Sequence, residues 1–247
     1  MSDLVGAATR QRLELIIDAP APGDENMRRD VALLEACAHG EIPGAVRLYG
    51  FAPACLSLGR MQPLDDVDLD ACARDGVDVV RRPSGGRAVL HDQEVTYAVI
   101  CRSTDPVFGG RVLESCSRIH QVVAAGLVAL GVSTIPRAMP PNLRRDAREG
   151  AAVADCFARP AAHELLDDRG RKLVGSAQAR RGGALLQHGS VLLESPRAAG
   201  YLRESAATSP GGVGVRELLG REVTRDELVD ALAAGFSLVL EGDRGST

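Results

Sequence analysis

Two hydrophobic rhythms alternate along the chain, and they predict most of its elements. "LELII" (Leu13 to Ile17) is a short apolar run that predicts a strand. "DENMRRDVALLEACAHG" places Met27, Val31, Leu34 and Ala38 at helical spacing, and Gly40 ends the helix. "AVRLYGFAPACLSLGR" predicts two strands broken at Gly50 to Pro53, in a hairpin-like element. A short polar helix in "DDVDLDACARDG" follows, then a strand in "VDVVRR" that runs into a turn at "PSGG". "EVTYAVI" (Glu94 to Ile100) is rich in β-branched residues and predicts a further strand. "RVLESCSRIHQVVAAGLVALG" carries the strongest helical period, with Val112, Cys116, Ile119, Val123, Leu127 and Leu130 on one face. Pro136 to Ala152 holds three prolines and four arginines without a period and predicts a loop. "AHELL", "RKLVGSAQAR" and "ALLQHGSVLLE" predict three strands separated by the turns "DDRG" and "RGG". A last helix in "TRDELVDALAAGFSLVL" starts with a capping box of Thr224 and Glu227. There is no strict βαβ alternation, so an α+β domain on an antiparallel or mixed sheet is expected rather than a Rossmann fold.

Composition narrows the class only a little. The 247 residues are 45% hydrophobic, enough to bury a core. A net charge of −4 gives no general attraction to nucleic acid or membrane, and neither is expected as a partner. The cysteines (Cys37, Cys55, Cys72, Cys101, Cys116 and Cys156) form no CxxC pair and no Cys/His spacing suited to zinc. A reducing cytoplasm is the simplest expectation, with no metal. No apolar stretch approaches the roughly 18 residues of a membrane span, and the expected product is soluble. The chain carries a single lysine, Lys172, among 29 basic Lys and Arg residues. A coding bias toward arginine accounts for the missing lysines. It leaves one position where arginine, always protonated and planar, is the wrong substitute for a compact ammonium.

Two stretches carry candidate chemistry. In "RRPSGGRAVLHD" (Arg81 to Asp92), Gly85 and Gly86 let backbone amides approach a ligand, while Arg81 and Arg82 offer fixed charge. A solvated hairpin is the alternative reading of the same residues. His91 with Asp92 is either the start of a base and its orienting acid or a turn with a capping aspartate. The second stretch joins "DCF" at Cys156 to Lys172. Strands paired as a meander would set the two side chains face to face, and an ammonium beside a thiol favours the nucleophilic thiolate. Cys156 taken alone also reads as a small buried hydrophobe. "AVL" (Ala88 to Leu90) and "LVGSA" are candidate apolar walls for a pocket. His188 is either a second base or a hydrogen-bonding residue of the sheet.

"VRLYGFAPACLSLGRMQ", "RRPSGGRAVLHDQEVTYAVI", "DCF" and "HELLDDRGRKLVGSAQARRGGALLQHGSVLLE" in this order resemble the biotin/lipoate protein ligase superfamily, closest to its cysteine-dependent octanoyltransferases. The resemblance covers roughly Leu13 to Ala199. It implies one catalytic domain over residues 1–247, with a core at about 13–199 and a C-terminal helical region at about 214–240. The fold implied is α+β, a mixed and largely antiparallel sheet flanked by helices with a smaller second sheet. It also implies catalysis by Cys156 and Lys172, and a substrate pocket of Arg81, Arg82, Ser84, Gly85, Gly86, Arg87, His91, Gly175, Ser176, Ala177, Gln178, His188 and Gly189. The activity implied is transfer of octanoyl from octanoyl acyl carrier protein, through a cysteine thioester, to a lysine of a lipoyl domain or of glycine cleavage H protein, without ATP or another cofactor. Two alternatives belong to the same superfamily: an ATP-dependent lipoate ligase, and an amidotransferase that takes octanoyl from glycine cleavage H protein. Arg87 after Gly86 and Glu94 after "HDQ" depart from the ligase pattern and favour the transferase.

Overall fold

The structure is a computed structural model that describes residues 12–138, 155–157, 163–195, 198–203 and 212–242. Its elements, in chain order, are β1 (Glu14–Ile17), α1 (Gly23–His39), β2 (Gly44–Tyr49), β3 (Cys55–Leu58), α2 (Leu69–Asp75), β4 (Asp78–Arg81), β5 (Val89–His91), β6 (Glu94–Arg102), α3 (Val112–Ala129), β7 (Ile135–Pro136), β8 (Leu165–Leu166), β9 (Lys172–Arg181), β10 (Ala184–Leu192), α4 (Val215–Leu219) and α5 (Arg225–Gly242). Seven strands form one sheet in the order β1-β2-β6-β10-β9-β8-β7, and three form a second in the order β4-β3-β5. Within the large sheet only β1 and β2 run parallel; the other pairs are antiparallel. The expected α+β architecture, a mixed and mainly antiparallel sheet with a smaller companion, is the one observed.

The two central strands show why this sequence gives this layering. Side chains on a strand alternate between faces, so a strand covered on both sides must be apolar at odd and even positions alike. In β6, Val95, Tyr97, Val99 and Cys101 enter one core while Ala98 and Ile100 enter another. In β10, Leu185 and Val191 divide from Ala184 and Leu186 in the same way. The second of these cores is closed by Met27, Leu34 and Cys37 of α1. The first is closed by Ile119, Val123 and Leu127 of α3 and by Leu228, Leu232 and Phe236 of α5. The small sheet has its own core, where Leu56, Leu58 and Leu90 meet Cys72 and Val77.

Four expectations change. "AVRLYG" and "ACLSLG" do not pair as a hairpin: β2 lies between β1 and β6 in the large sheet, while β3 is central in the small one. A strand, a turn and a strand look alike in sequence whether the second strand folds back or crosses to another sheet. "VDVVRR" and "AVLH" likewise flank β3 from opposite sides, so "RRPSGG" is a crossover and not a hairpin turn. Pro136, assigned to a loop, sits in β7 opposite Leu165, and the rest of that segment from residue 139 to 152 lies outside the described residues. Val112 is half exposed at the start of α3, so the buried face of that helix begins one turn later. The capping box of α5 is present, with the Glu227 amide donating to Thr224 Oγ1 at 3.1 Å and the Thr224 amide to Glu227 Oε2 at 2.9 Å. Among the described residues no helix is long and apolar enough to cross a membrane.

Candidate active site

The start of β9 brings the lone lysine under the core. Lys172 is 1% exposed, and its ammonium donates to Cys156 Sγ at 3.4 Å, to the Cys156 carbonyl at 2.9 Å and to Glu164 Oε1 at 2.7 Å. Its charge also lies 5.1 Å from the centre of the Phe157 ring. Burial pulls Lys172 down, but the charges of Cys156 and Glu164 outweigh it and hold the group above the ordinary lysine range. Cys156 is tied beside β5, its amide donating to the Ala88 carbonyl at 2.9 Å. It does not lie in a meander strand, yet the thiol and the ammonium meet as the sequence expected.

In front of the thiol is a narrow, mainly apolar cleft. Its walls include Met27 of α1, Tyr49 of β2, Val89 of β5, Thr96 of β6 and Ala177 of β9. Of the proposed apolar walls, Val89 does face it, whereas Ala88 and Leu90 turn into the core of the small sheet because alternate residues of a strand point to opposite sides. The glycine turn is held from inside by Arg82, which donates to the carbonyls of Ser57 at 2.9 Å, Gly85 at 2.8 Å and Arg87 at 2.6 Å. Burial lowers Arg82, while the neighbouring charge of Cys156 works the other way, and an arginine stays cationic. Gly86 adopts φ +92°, a left-handed conformation that suits glycine.

Two histidines close the cleft floor. His188 Nδ1 donates to Asp30 Oδ2 at 3.2 Å, leaving Nε2 to accept from the Ser84 hydroxyl. Asp30 is fully buried, bonded also to Arg47 and to the Tyr49 hydroxyl. Burial lowers His188 despite the aspartate, so it is a neutral link between the glycine turn, β10 and α1. His91 bonds to Ser57 Oγ at 2.8 Å and Ser190 Oγ at 3.3 Å and stacks on Phe51. The acid beside its ring is Glu94 at 3.4 Å, not Asp92.

A family model described as the lipoyl protein ligase A/B catalytic domain matches residues 22–237 of this chain. The chain belongs to that family. Among its relatives, octanoyltransferase LipM of Kyrpidia tusciae is 38% identical over 87% of this chain and 82% of its own length. Octanoyltransferase LipM of Symbiobacterium thermophilum is 38% identical over 89% and 83%. Among solved structures, a lipoate-protein ligase A bound with ATP superposes with a TM-score of 0.74 at 22% identity, covering 94% of this chain and 86% of the ligase. The putative lipoate protein ligase Ta0514 of T. acidophilum with bound lipoic acid gives 0.71, also at 22% identity, covering 94% and 87%. At such identity these two speak for the fold.

In this member of the lipoyl protein ligase family, Arg82, Gly86, His91, Cys156, Gly175, Ser176, Ala177, His188 and Gly189 line one cleft. Lys172 stands behind Cys156, and Ser84 and Gly85 support the turn. Two residues lie elsewhere. Arg81 is exposed and its Nη1 spans the carbonyls of Gly59, Arg60 and Gln62, bracing the end of β3. Gln178 donates to Ser115 Oγ at 2.9 Å and Gln187 Oε1 at 2.6 Å, which fastens α3 to the sheet. Arg87 contributes its carbonyl to Arg82.

Glu164 was not singled out by the sequence, nor were the buried His120 and Tyr97, which bond to each other beside the expected pocket residue Ser176. His120 Nδ1 donates to the His163 carbonyl at 2.7 Å, so Nε2 accepts from the hydroxyls of Ser176 at 2.9 Å and Tyr97 at 3.1 Å. A signal for Glu164 did exist: a buried lysine requires a nearby anion, and "HELLDD" offers three.

Gly175 is explained by the lysine. A Cβ there would lie 2.8 Å from Lys172 Cε and 3.1 Å from Nζ. Gly175→Ala should therefore displace the ammonium from Cys156 and slow octanoyl transfer about 10²-fold, the scale of losing one charge-stabilising donor. Transfer kinetics beside a thermal melt separate this from unfolding: the rate should fall while the melt moves by a few degrees at most.

Proposed function

We propose that this octanoyltransferase works by ping-pong acyl transfer through Cys156. The donor is the octanoyl thioester of an acyl carrier protein, and the acceptor is a lysine of a lipoyl domain or of glycine cleavage H protein. The observation that carries this reading is the approach of the Lys172 ammonium to Cys156 Sγ at 3.4 Å, at the edge of an apolar cleft. An adjacent cation favours the thiolate. In the first half-reaction the thiolate attacks the carbonyl carbon, the new S–C bond forms, the donor's S–C bond breaks, and the carrier leaves as a thiolate that takes a proton from water. In the second, the neutral amine of the acceptor attacks the octanoyl-enzyme. The C–N bond forms, the C–S bond breaks, Cys156 returns as thiolate and the nitrogen gives one proton to solvent water. Lys172 faces the charge that builds on the oxyanion in both steps.

ATP has no step in this scheme, because the thioester donor is already activated. A reducing cytoplasm keeps Cys156 a free thiol. Mass spectrometry of the intact protein after mixing with octanoyl acyl carrier protein should show one octanoyl adduct at Cys156 without ATP. Absence of the adduct, with ATP-dependent labelling of a lipoyl domain by free octanoate, would instead establish the ligase. Since Lys172 is held above its ordinary range, single-turnover acylation should rise as the thiol ionises and stay high until pH exceeds about 10.4, the ordinary lysine value. A decline on the alkaline side below pH 9 would contradict the ammonium's role.

A further inference from the structure

We propose that Glu164 is the permanent counter-charge of Lys172: after acylation has consumed the thiolate, this carboxylate keeps the buried ammonium charged, so that Lys172 is never the base that takes the acceptor's proton. The inference rests on the acyl-transfer reading above. In the resting enzyme two groups able to carry negative charge face Lys172, the Cys156 sulfur at 3.4 Å and the Glu164 carboxyl at 2.7 Å. Octanoylation converts the first into a neutral thioester. A lysine 1% exposed and left without an anion gives up its proton readily, and a neutral amine next to the thioester would act as a base or a competing nucleophile.

The other groups around the pair do not replace Glu164. Asp155 accepts from the Phe157 amide at 2.9 Å, and burial shifts it toward its neutral form. On α3, burial favours neutral His120 and raises the Cys116 thiol to about 11. Tyr97 of β6 is likewise raised by burial, and His163 gives its carbonyl to His120. Arg82, across the cleft, adds positive charge and works against an ammonium. Glu164 is 3% exposed, contacts Nζ directly, and is braced by the Ser176 amide at 3.4 Å from Oε1. In the resting enzyme it also competes with the thiolate for the same ammonium. Its removal should therefore make the first proton easier to lose.

The single lysine makes a direct test practical. Full-length protein labelled with 13C,15N-lysine gives one side-chain signal, that of Lys172, and its shifts distinguish ammonium from amine. With Cys156 octanoylated, or capped as the methyl disulfide where the thioester hydrolyses, the wild-type signal should remain an ammonium at pH 8. In Glu164→Gln it should become an amine. Iodoacetamide alkylation of Cys156 supplies a second readout: its pH midpoint should move down by about one unit in Glu164→Gln and stay near wild type in Glu164→Asp. A merely structural glutamate predicts the opposite sign, because a loosened Lys172 would leave the thiol harder to ionise. An amine signal in the capped wild type, or an unmoved or raised midpoint in Glu164→Gln, overturns the proposal, and the wild-type spectrum decides alone if the variant does not fold. Failure of octanoyl acyl carrier protein to acylate Cys156 would remove the underlying reading, whereas an adduct beside a neutral lysine would remove the counter-charge alone.

Discussion

Cys156→Ser is expected to abolish the octanoyl adduct and to reduce turnover by about 10⁴-fold or more, the scale on which covalent enzymes lose activity with their nucleophile. Sulfur is replaced by oxygen beside a cation, and the cleft's His91 is already bonded to Ser57 and Ser190. A serine nucleophile needs a partner that removes its proton. His188 is engaged by Asp30 and Ser84, and His120 by the His163 carbonyl, Ser176 and Tyr97. Lys172 is an ammonium and accepts no proton. The serine hydroxyl would sit where the thiol sat, hydrogen-bonded and unreactive. Folding should be unaffected, since Cys156 is only partly buried and is held through its backbone amide. The remaining cysteines act as internal controls. Cys37, Cys55, Cys72 and Cys101 are buried, and burial pushes all four thiols up. Intact-mass spectra of wild type and Cys156→Ser, taken with the same donor, check this. An adduct that persists in the variant, on Cys116 for example, would move the nucleophile elsewhere.

What could be read in the sequence was what depends on near neighbours along the chain. β6 and β10 were legible as strands from their local runs of apolar and β-branched residues, and the cap of α5 because Thr224 and Glu227 are three residues apart. Pairing between distant segments was not. "VRLY" and "CLSL" have the same local pattern whether β3 returns to β2 or starts a second sheet, so the hairpin expectation failed on topology and not on propensity. His188 stayed ambiguous between base and sheet residue because its partner, Asp30, lies 158 residues away. Cys156 and Lys172 were brought together for a partly wrong reason. Cys156 lies in a bend and not in the expected meander strand, and a hydrogen bond to Ala88 beside the glycine turn helps to set the thiol in place. That bond links "RRPSGG" to "DCF", two motifs about 70 residues apart whose relation no spacing rule describes. Glu164 was hidden for a related reason. Its role follows from the burial of Lys172, and burial is a property of the assembled sheet.

Lys172→Arg should slow acylation by about 10²- to 10³-fold, although it keeps the charge. The reason is geometric. An ammonium has three donors disposed around one nitrogen, and here one nitrogen has three acceptors: Glu164 Oε1, the Cys156 carbonyl and Cys156 Sγ. A guanidinium distributes its donors over a planar fork, which matches a carboxylate edge but cannot converge three bonds on the same point. It is also larger, and Lys172 already fills its space, with Gly175 cleared of a Cβ on one side and the Phe157 ring on the other. The arginine would keep Glu164 in a two-pronged pair and withdraw from the sulfur. Alkylation of Cys156 should then require higher pH, and burst kinetics with octanoyl acyl carrier protein should show a slow first phase. Near-normal acylation by Lys172→Arg would mean that positive charge alone suffices. In that case a chain so rich in arginine would have no chemical reason to retain its only lysine at this position.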